Sequence, residues 1–116
     1  MDTVRVVQDG SGVGVAAKVA VADSWWRRLR GLLGRPRLGN DEGMLLLGCS
    51  SVHTVGMRYA IDVAFLDKEG RVVRSIAGLE PLKVGIGGED AAHALELPAG
   101  RLAETGTTSG VLLSWS

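Results

Sequence analysis

Disulfide bonds, an aromatic stacking surface and a membrane-spanning segment are all missing from this sequence. Its 116 residues include one cysteine, three tryptophans, one tyrosine and one phenylalanine. A single cysteine cannot form an intramolecular disulfide, which fits a reducing compartment. Because no aromatic residue alternates with basic ones in a predicted strand, we expect no platform for nucleic-acid bases. The apolar run Met44 to Leu47, as long as any in the chain, is far too short to cross a bilayer.

An excess of charge of either sign is also missing. Thirteen basic residues balance thirteen acidic ones, so no overall field attracts the protein to nucleic acid or to an anionic membrane. The segment from Met1 to Arg5 is not followed by the apolar stretch and cleavage site of a signal peptide. We therefore expect a cytoplasmic protein.

Length and composition predict one folded domain over residues 1–116. The chain is 46% hydrophobic and 22% charged, which is ordinary for a globular protein and unlike a disordered one. Valine-rich and alternating segments, separated by glycine-rich turns, predict seven strands at residues 3–7, 14–22, 44–47, 61–67, 71–76, 93–97 and 111–115. Asp67, Lys68, Glu69 and Gly70 predict a type I turn with glycine at the bulge position. The fold class is thus mainly β, an antiparallel sandwich or partly open barrel.

One α-helix is predicted near residues 23–34, where apolar residues recur at intervals of three and four. The densest basic patch surrounds this helix and its exit, at Arg27, Arg28, Arg30, Arg35 and Arg37. A solvated helix face explains these arginines, and so does binding of an anion, RNA or a protein partner.

Polar chemistry concentrates between Cys49 and Asp62. Cys49 and His53 are four residues apart and are candidates for a nucleophile and its base, or for a buried thiol and a histidine bonded to the backbone. With Met57 and His93 added they are candidates for a soft metal site. Because the spacing matches no zinc pattern, we predict no metal.

Asp62 is the most informative residue of this cluster. Alternation turns its side chain away from Ile61 and Val63, among apolar neighbours where a carboxylate needs a partner. Arg58 is the expected partner, with Glu96 as a competitor for the same guanidinium. An Arg58–Asp62 pair serves equally as a ligand clamp and as a structural brace.

A set of short motifs resembles a known family. They are Arg-Gly-Leu-Leu-Gly-Arg at 30–35, Gly-Met-Leu at 43–45, Val-His-Thr at 52–54, Gly-Met-Arg at 56–58, Ile-Asp-Val-Ala-Phe-Leu-Asp at 61–67 and Leu-Glu-Leu-Pro-Ala-Gly at 95–100. In this order they resemble the bacterial domain of unknown function 192 (DUF192). The resemblance implies a compact β architecture and no settled activity. It also implies a link to envelope or secretion functions, because some relatives look exported.

The sequence favours a non-catalytic β domain that binds a small anionic ligand or a peptide, without a cofactor. Nucleophile-elbow, phosphate-loop and dinucleotide motifs are absent from it. The residues expected to line the pocket are Cys49, His53, Thr54, Met57, Arg58, Asp62, His93 and Glu96. Two alternatives remain open, a hydrolase that uses Cys49 and His53, and a protein-docking domain that uses the helix arginines or the glycine-rich segment 79–90.

Overall fold

The computed structural model describes residues 2–23 and 37–116. In these residues the chain forms nine strands and one short helix. They are β1 (Thr3–Gln8), β2 (Gly14–Ala22), β3 (Glu42–Leu47), β4 (Ser51–His53), β5 (Ile61–Leu66), β6 (Val72–Leu79), β7 (Val84–Ile86), β8 (His93–Pro98), α1 (Arg101–Thr105) and β9 (Leu113–Trp115). Nearly all of the helix predicted at 23–34 lies outside the described residues, and so do four of the five arginines of the basic patch around it.

Seven strands form one sheet in the order β6-β5-β8-β3-β2-β1-β9, and β4 pairs with β7 in a second, two-stranded sheet. Every pair is antiparallel except β2 with β3, which is parallel. The mainly β prediction is therefore confirmed, with nine strands in place of seven. The two extra strands, β4 and β7, have three residues each, too short to produce an alternation signal. β7 lies in the glycine-rich segment 79–90, where the sequence predicts no strand.

The large sheet curves until its two ends approach each other, but it does not close into a barrel. An isolated bridge joins Arg71, just before β6, to Leu112, just before β9. Apolar side chains from all seven strands and from α1 fill the space inside this curve. This inner core consists of Val6, Val15, Ala16, Val19, Leu45, Ala64, Leu66, Val72, Leu95, Leu97, Leu102 and Leu113.

A second apolar cluster, the outer core, covers the opposite face of the sheet. It consists of Ala22, Met44, Leu46, Val52, Met57, Tyr59, Ile61, Val63, Phe65, Leu79 and Ala94. Val52 of the small sheet contributes to it, so this sheet packs over the large one. With a core on each face, β5 is buried at all six positions, as expected for a central strand covered on both sides.

The β5–β6 hairpin forms as the sequence predicts. Oδ1 of Asp67 accepts hydrogen bonds from the backbone N–H groups of Glu69 and Arg71, at 3.0 and 2.9 Å. Gly70 has a φ of 97°, in the left-handed region that favours glycine. A Cβ at Gly70 would lie 2.5 Å from the carbonyl oxygen of Leu113, so this turn also packs closely against β9.

Candidate functional site

Asp62 is fully buried, and its carboxylate accepts hydrogen bonds from backbone N–H groups. Oδ1 accepts a hydrogen bond from the N–H of Gly78 at 2.9 Å. Oδ2 accepts two more, from Gly100 at 3.1 Å and from Leu102 at 3.0 Å. The side chain therefore ties β5 to the end of β6 and to the start of α1.

The predicted pairing of Asp62 with Arg58 is wrong. Arg58 is exposed, whereas Asp62 has no exposed surface and already accepts three N–H bonds. The backbone N–H groups supply the hydrogen bonds that were expected from the guanidinium, and no second charge has to be buried. The sequence correctly predicted that the Asp62 carboxylate lies on the face opposite Ile61, among apolar neighbours. Its role is to brace the fold through hydrogen bonds to the backbone.

Glu96 lies on the other face of the sheet. It is directly opposite Met44 of β3 and Val63 of β5, both members of the outer core. Only 3% of Glu96 is exposed, and within the described residues its Oε1 has no hydrogen-bond partner. Burial raises the pKa of this carboxyl to about 7, since desolvation disfavours the charged form. Glu96 and Asp62 therefore do not compete for one guanidinium.

His93, at the start of β8, lies on the side of the inner core. Its Nδ1 accepts a hydrogen bond from the N–H of Gly48 at 3.0 Å, and its ring meets Trp115 edge to face with 6.1 Å between centroids. Burial lowers the pKa of His93, and the negative charge of Asp67 partly opposes this. The arrangement holds the imidazole in the neutral tautomer that keeps Nδ1 as an acceptor.

Cys49 and His53 lie in different surroundings. Cys49 is half-buried and packs against the outer core. His53 is exposed on the outer face of the small sheet, opposite Val84 of β7, while its neighbour Val52 turns inward. Alternation within β4 thus turns the imidazole away from the core that the cysteine contacts.

Thr54 and Met57 help to hold the segment that follows β4. The hydroxyl of Thr54 donates to the carbonyl oxygen of Glu80 at 2.6 Å and accepts from the N–H of Lys83 at 2.8 Å. Met57 is buried in the outer core. The eight predicted pocket residues are therefore divided between both faces of the sheet and the surface.

A cleft of about 250 Å³ opens beside the outer core. Its walls are Arg37, Leu38, Asn40, Tyr59, Ala60, Pro98 and Ala99. The guanidinium of Arg37 lies over the ring of Tyr59, with 6.0 Å from Cζ to the centroid. The cleft thus combines a positive charge and an amide with apolar side chains.

Sequence reasoning missed this cleft because its walls come from three separate places in the chain. They are the segment before β3, the segment before β5 and the end of β8. The sequence marks Arg37 only as one of several basic residues, and it gives no sign that Tyr59 belongs to a site. No spacing rule connects such positions, and the fold alone brings them together.

Residues 2–23 and 37–116 contain neither a metal-binding cluster nor a membrane-spanning helix. Within these ranges, no three histidine, cysteine or acidic side chains come close enough together to hold a metal ion. No helix in this part of the chain has the length and apolar character needed to cross a membrane.

The described residues thus form a small, mainly β domain with a curved seven-stranded sheet, and a cleft lies beside its outer core. The chain belongs to the DUF192 family, described as uncharacterized ACR, whose model matches residues 5–115. The family resemblance in the sequence motifs is thereby confirmed. No curated protein sequence matches the chain.

Solved structures share the fold. A Sinorhizobium meliloti 1021 protein described as a "putative transcription regulator" is 24% identical, with a TM-score of 0.84 over 97% of this chain and 92% of its own. A protein of unknown function from Novosphingobium aromaticivorans DSM 12444 is 22% identical, with a TM-score of 0.80 over 97% of this chain and 84% of its own. A Burkholderia pseudomallei K96243 protein described as a "putative exported protein" is 14% identical, with a TM-score of 0.54; 98% of this chain matches 24% of that one. At these identities the likeness concerns the fold alone.

Proposed function

We propose that this protein is a non-catalytic domain that binds a small organic anion, or the carboxylate end of a peptide, in the cleft beside its outer core. The observation that carries the proposal is the cleft itself. Its volume of about 250 Å³ suits a ligand of a few heavy atoms or the terminal residue of a peptide.

Arg37 gives the cleft its preference for an anion. A guanidinium stays protonated at every physiological pH and presents several N–H donors in the geometry that a carboxylate accepts. Its position over the ring of Tyr59 restrains it before any ligand binds, which lowers the entropy lost on binding. Asn40 adds an amide that donates or accepts.

The apolar walls favour a ligand with a hydrocarbon part. Leu38 packs against the outer core, and Tyr59 belongs to it. Pro98 adds a rigid ring at the end of β8. These side chains remove apolar ligand surface from water, which supplies most of the affinity of a small ligand.

The positions of Cys49, His53 and Asp62 support binding over catalysis. His53 is exposed while Cys49 packs against the outer core, a poor arrangement for a nucleophile and base that must share a proton. The carboxylate of Asp62 accepts bonds from three backbone groups, so it has little capacity left to orient an imidazole.

Nuclear magnetic resonance titrations with butyrate and hexanoate test the proposal. We expect both anions to shift the amide signals of Asn40, Tyr59 and Ala99, and Arg37→Ala to abolish the shifts. Arg58→Ala is the matched control, because Arg58 is an exposed arginine beside Tyr59 that is not among the cleft residues. The proposal fails if neither anion perturbs these signals, or if Arg37→Ala changes nothing.

Docking to a protein is a second candidate function, favoured by one observation. Leu82, Val84 and Ile86 are 75%, 64% and 59% exposed on the segment that contains β7, and exposed apolar patches often mark interaction surfaces. We expect the double variant Leu82→Ser/Ile86→Ser to reduce any self-association seen by sedimentation at high protein concentration. A wild-type protein that stays monomeric there counts against docking between copies of this chain.

A further inference from the structure

The turn between β1 and β2 contains the sequence's single Asp-Gly step, at Asp9 and Gly10. Both residues are exposed and lie outside the strands. A Cβ at Gly10 would have no heavy atom within 4 Å apart from its own chain neighbours. The peptide group that joins the two residues is therefore open on that side to water and to the side chain of Asp9.

The two groups that could react at this step are not held by hydrogen bonds. In the described part of the chain, the N–H of Gly10 donates no hydrogen bond and the carboxylate of Asp9 accepts none. The residues around them are anchored, since the N–H of Asp9 donates to the carbonyl oxygen of Leu112 at 2.8 Å and that of Gly12 donates to Gln8 at 2.9 Å. The Asp9–Gly10 peptide group is thus the free part of a fixed turn.

An aspartate followed by glycine can form a five-membered cyclic imide. The backbone nitrogen of Gly10 forms a bond to Cγ of Asp9, its proton goes to solvent, and one carboxyl oxygen leaves as water. Hydrolysis adds a water molecule back and opens the ring at either carbonyl carbon. Opening at the backbone carbonyl leaves the main chain running through Cβ and Cγ, which is isoaspartate, an isomer of the starting chain.

Glycine favours this reaction for a steric reason. Without a Cβ, Gly10 does not hinder the approach of the carboxyl group to the backbone nitrogen, and it changes conformation at little cost. Its φ is 90°, and Gly12, with a φ of 75°, is equally open. Exposed turns of small residues open locally at almost no cost in free energy.

Other aspartates of the described residues lack this combination. The carboxylate of Asp62 accepts three backbone N–H bonds in the interior. That of Asp67 accepts two in its turn, and that of Asp41 lies 4.0 Å from Lys18. Each of the three is followed by a residue with a side chain. Exposure, free reacting groups and a following glycine coincide at Asp9.

We propose that Asp9 is a modification site, at which the folded protein converts aspartate to isoaspartate through the cyclic imide. The reaction needs water alone and does not depend on the cleft. Its product adds one carbon to the main chain between the N–H groups of Asp9 and Gly12, which anchor the turn. It is also the kind of residue that isoaspartate methyltransferases esterify with a methyl group from S-adenosylmethionine.

Incubation of the full chain in neutral buffer for several weeks tests the proposal, with the same chain in urea as the reference. Peptide mapping with electron-transfer fragmentation locates isoaspartate, and labelling by an isoaspartate methyltransferase measures its amount. We expect isoaspartate to form at position 9 of the folded chain at a rate within about tenfold of the unfolded rate, because the turn opens almost freely.

Two variants assign the reaction to this step. Asp9→Glu keeps the charge but would require a six-membered ring, so we expect methyl labelling of the aged protein to fall close to background. In Gly10→Asn the new side chain hinders ring closure while a positive φ is still tolerated, and we expect labelling at least about tenfold slower. Asp90→Glu is the matched control, since Asp90 is also exposed but precedes an alanine, and it should leave the labelling unchanged.

The outcomes decide between a reactive turn and a protected one. If position 9 stays unmodified in the folded chain while the chain in urea forms isoaspartate, the turn protects Asp9 and the proposal is overturned. Labelling that persists in Asp9→Glu also overturns it, because the modified residue then lies elsewhere. Should Gly10→Asn fail to fold, Asp9→Glu and the comparison with urea still decide.

Discussion

Asp62 and Glu96 are both buried carboxyl groups, on neighbouring strands of one sheet, yet their surroundings differ completely. Asp62 faces the inner core and accepts three backbone N–H bonds. Glu96 faces the outer core, where Oε1 lacks a partner within the described residues. A buried carboxylate with a full set of donors stabilises a fold, whereas one without them destabilises it unless a ligand or proton satisfies it. The difference separates a carboxylate that braces the fold from a carboxyl group whose ionisation costs stability.

The largest effect is expected from Asp62→Ala. It leaves three N–H groups without an acceptor in the interior, at roughly 1 to 3 kcal/mol for each donor. We expect the free energy of unfolding, measured by urea denaturation, to fall by about 4 kcal/mol. Asp67→Ala is the control, because Asp67 accepts two N–H bonds in a turn open to water, and a loss of about 1 kcal/mol is expected. Equal losses for the two variants would contradict the assignment of Asp62 as a brace.

The next effect comes from the titration of Glu96. Its pKa is raised in the folded protein from 4.5 to about 7, so between these values the folded state binds more protons than the unfolded state. The stability it contributes is full below pH 4.5 and is lost as the pH rises through about 7. At about 1.4 kcal/mol for each pKa unit, the loss is roughly 3 kcal/mol.

Glu96→Gln isolates this contribution, because glutamine does not titrate. We expect the difference in unfolding free energy between wild type and variant to change by roughly 3 kcal/mol between pH 4.5 and 8, in favour of the variant at high pH. A difference that stays constant with pH would show that Glu96 is solvated or paired in solution.

A smaller effect of opposite sign is expected from His93. Its pKa is lowered from 6.5 in the folded protein, first of all by burial. The unfolded state therefore binds the proton more readily, and the stability present above pH 6.5 is lost as the pH falls below it. Protonation of Nδ1 also breaks its hydrogen bond from Gly48. We expect the free energy of unfolding of His93→Gln, measured by denaturation, not to show this decrease at low pH. If the variant shows the same decrease, another group causes it.

The local part of this fold could be predicted from the sequence. The β5–β6 hairpin follows from alternation and from the turn chemistry of Asp67 and Gly70, both of which act within a few residues. The parallel pairing of β2 with β3 could not be predicted, because residues 23–41 separate the two strands and no local pattern records which strands meet.

The roles of the two carboxylates lay beyond the sequence for a similar reason. The donors to Asp62 are backbone groups 16, 38 and 40 residues away, and a backbone N–H leaves no trace in residue type. Among side chains, the nearest cation along the chain is Arg58, and residue types alone therefore favour it as the partner. Glu96 gave the opposite difficulty, since an acidic residue between leucines at 95 and 97 is typical of a strand with one face open to water. Its carboxyl is buried only because the outer core covers that face.

The smallest effect is expected from Arg58→Ala, and it tests the corrected pairing directly. An exposed arginine that does not hold Asp62 contributes little to stability, so we expect a change of less than about 0.5 kcal/mol in the free energy of unfolding. The same measurement on the double variant Arg58→Ala/Asp62→Ala should equal the sum of the single losses, because residues without a shared interaction act independently. A coupling above about 1 kcal/mol would mean that the two side chains meet in solution. The Asp62 carboxylate would then exchange its backbone hydrogen bonds for the Arg58 guanidinium. The permanent set of donors that distinguishes it from Glu96 would no longer exist.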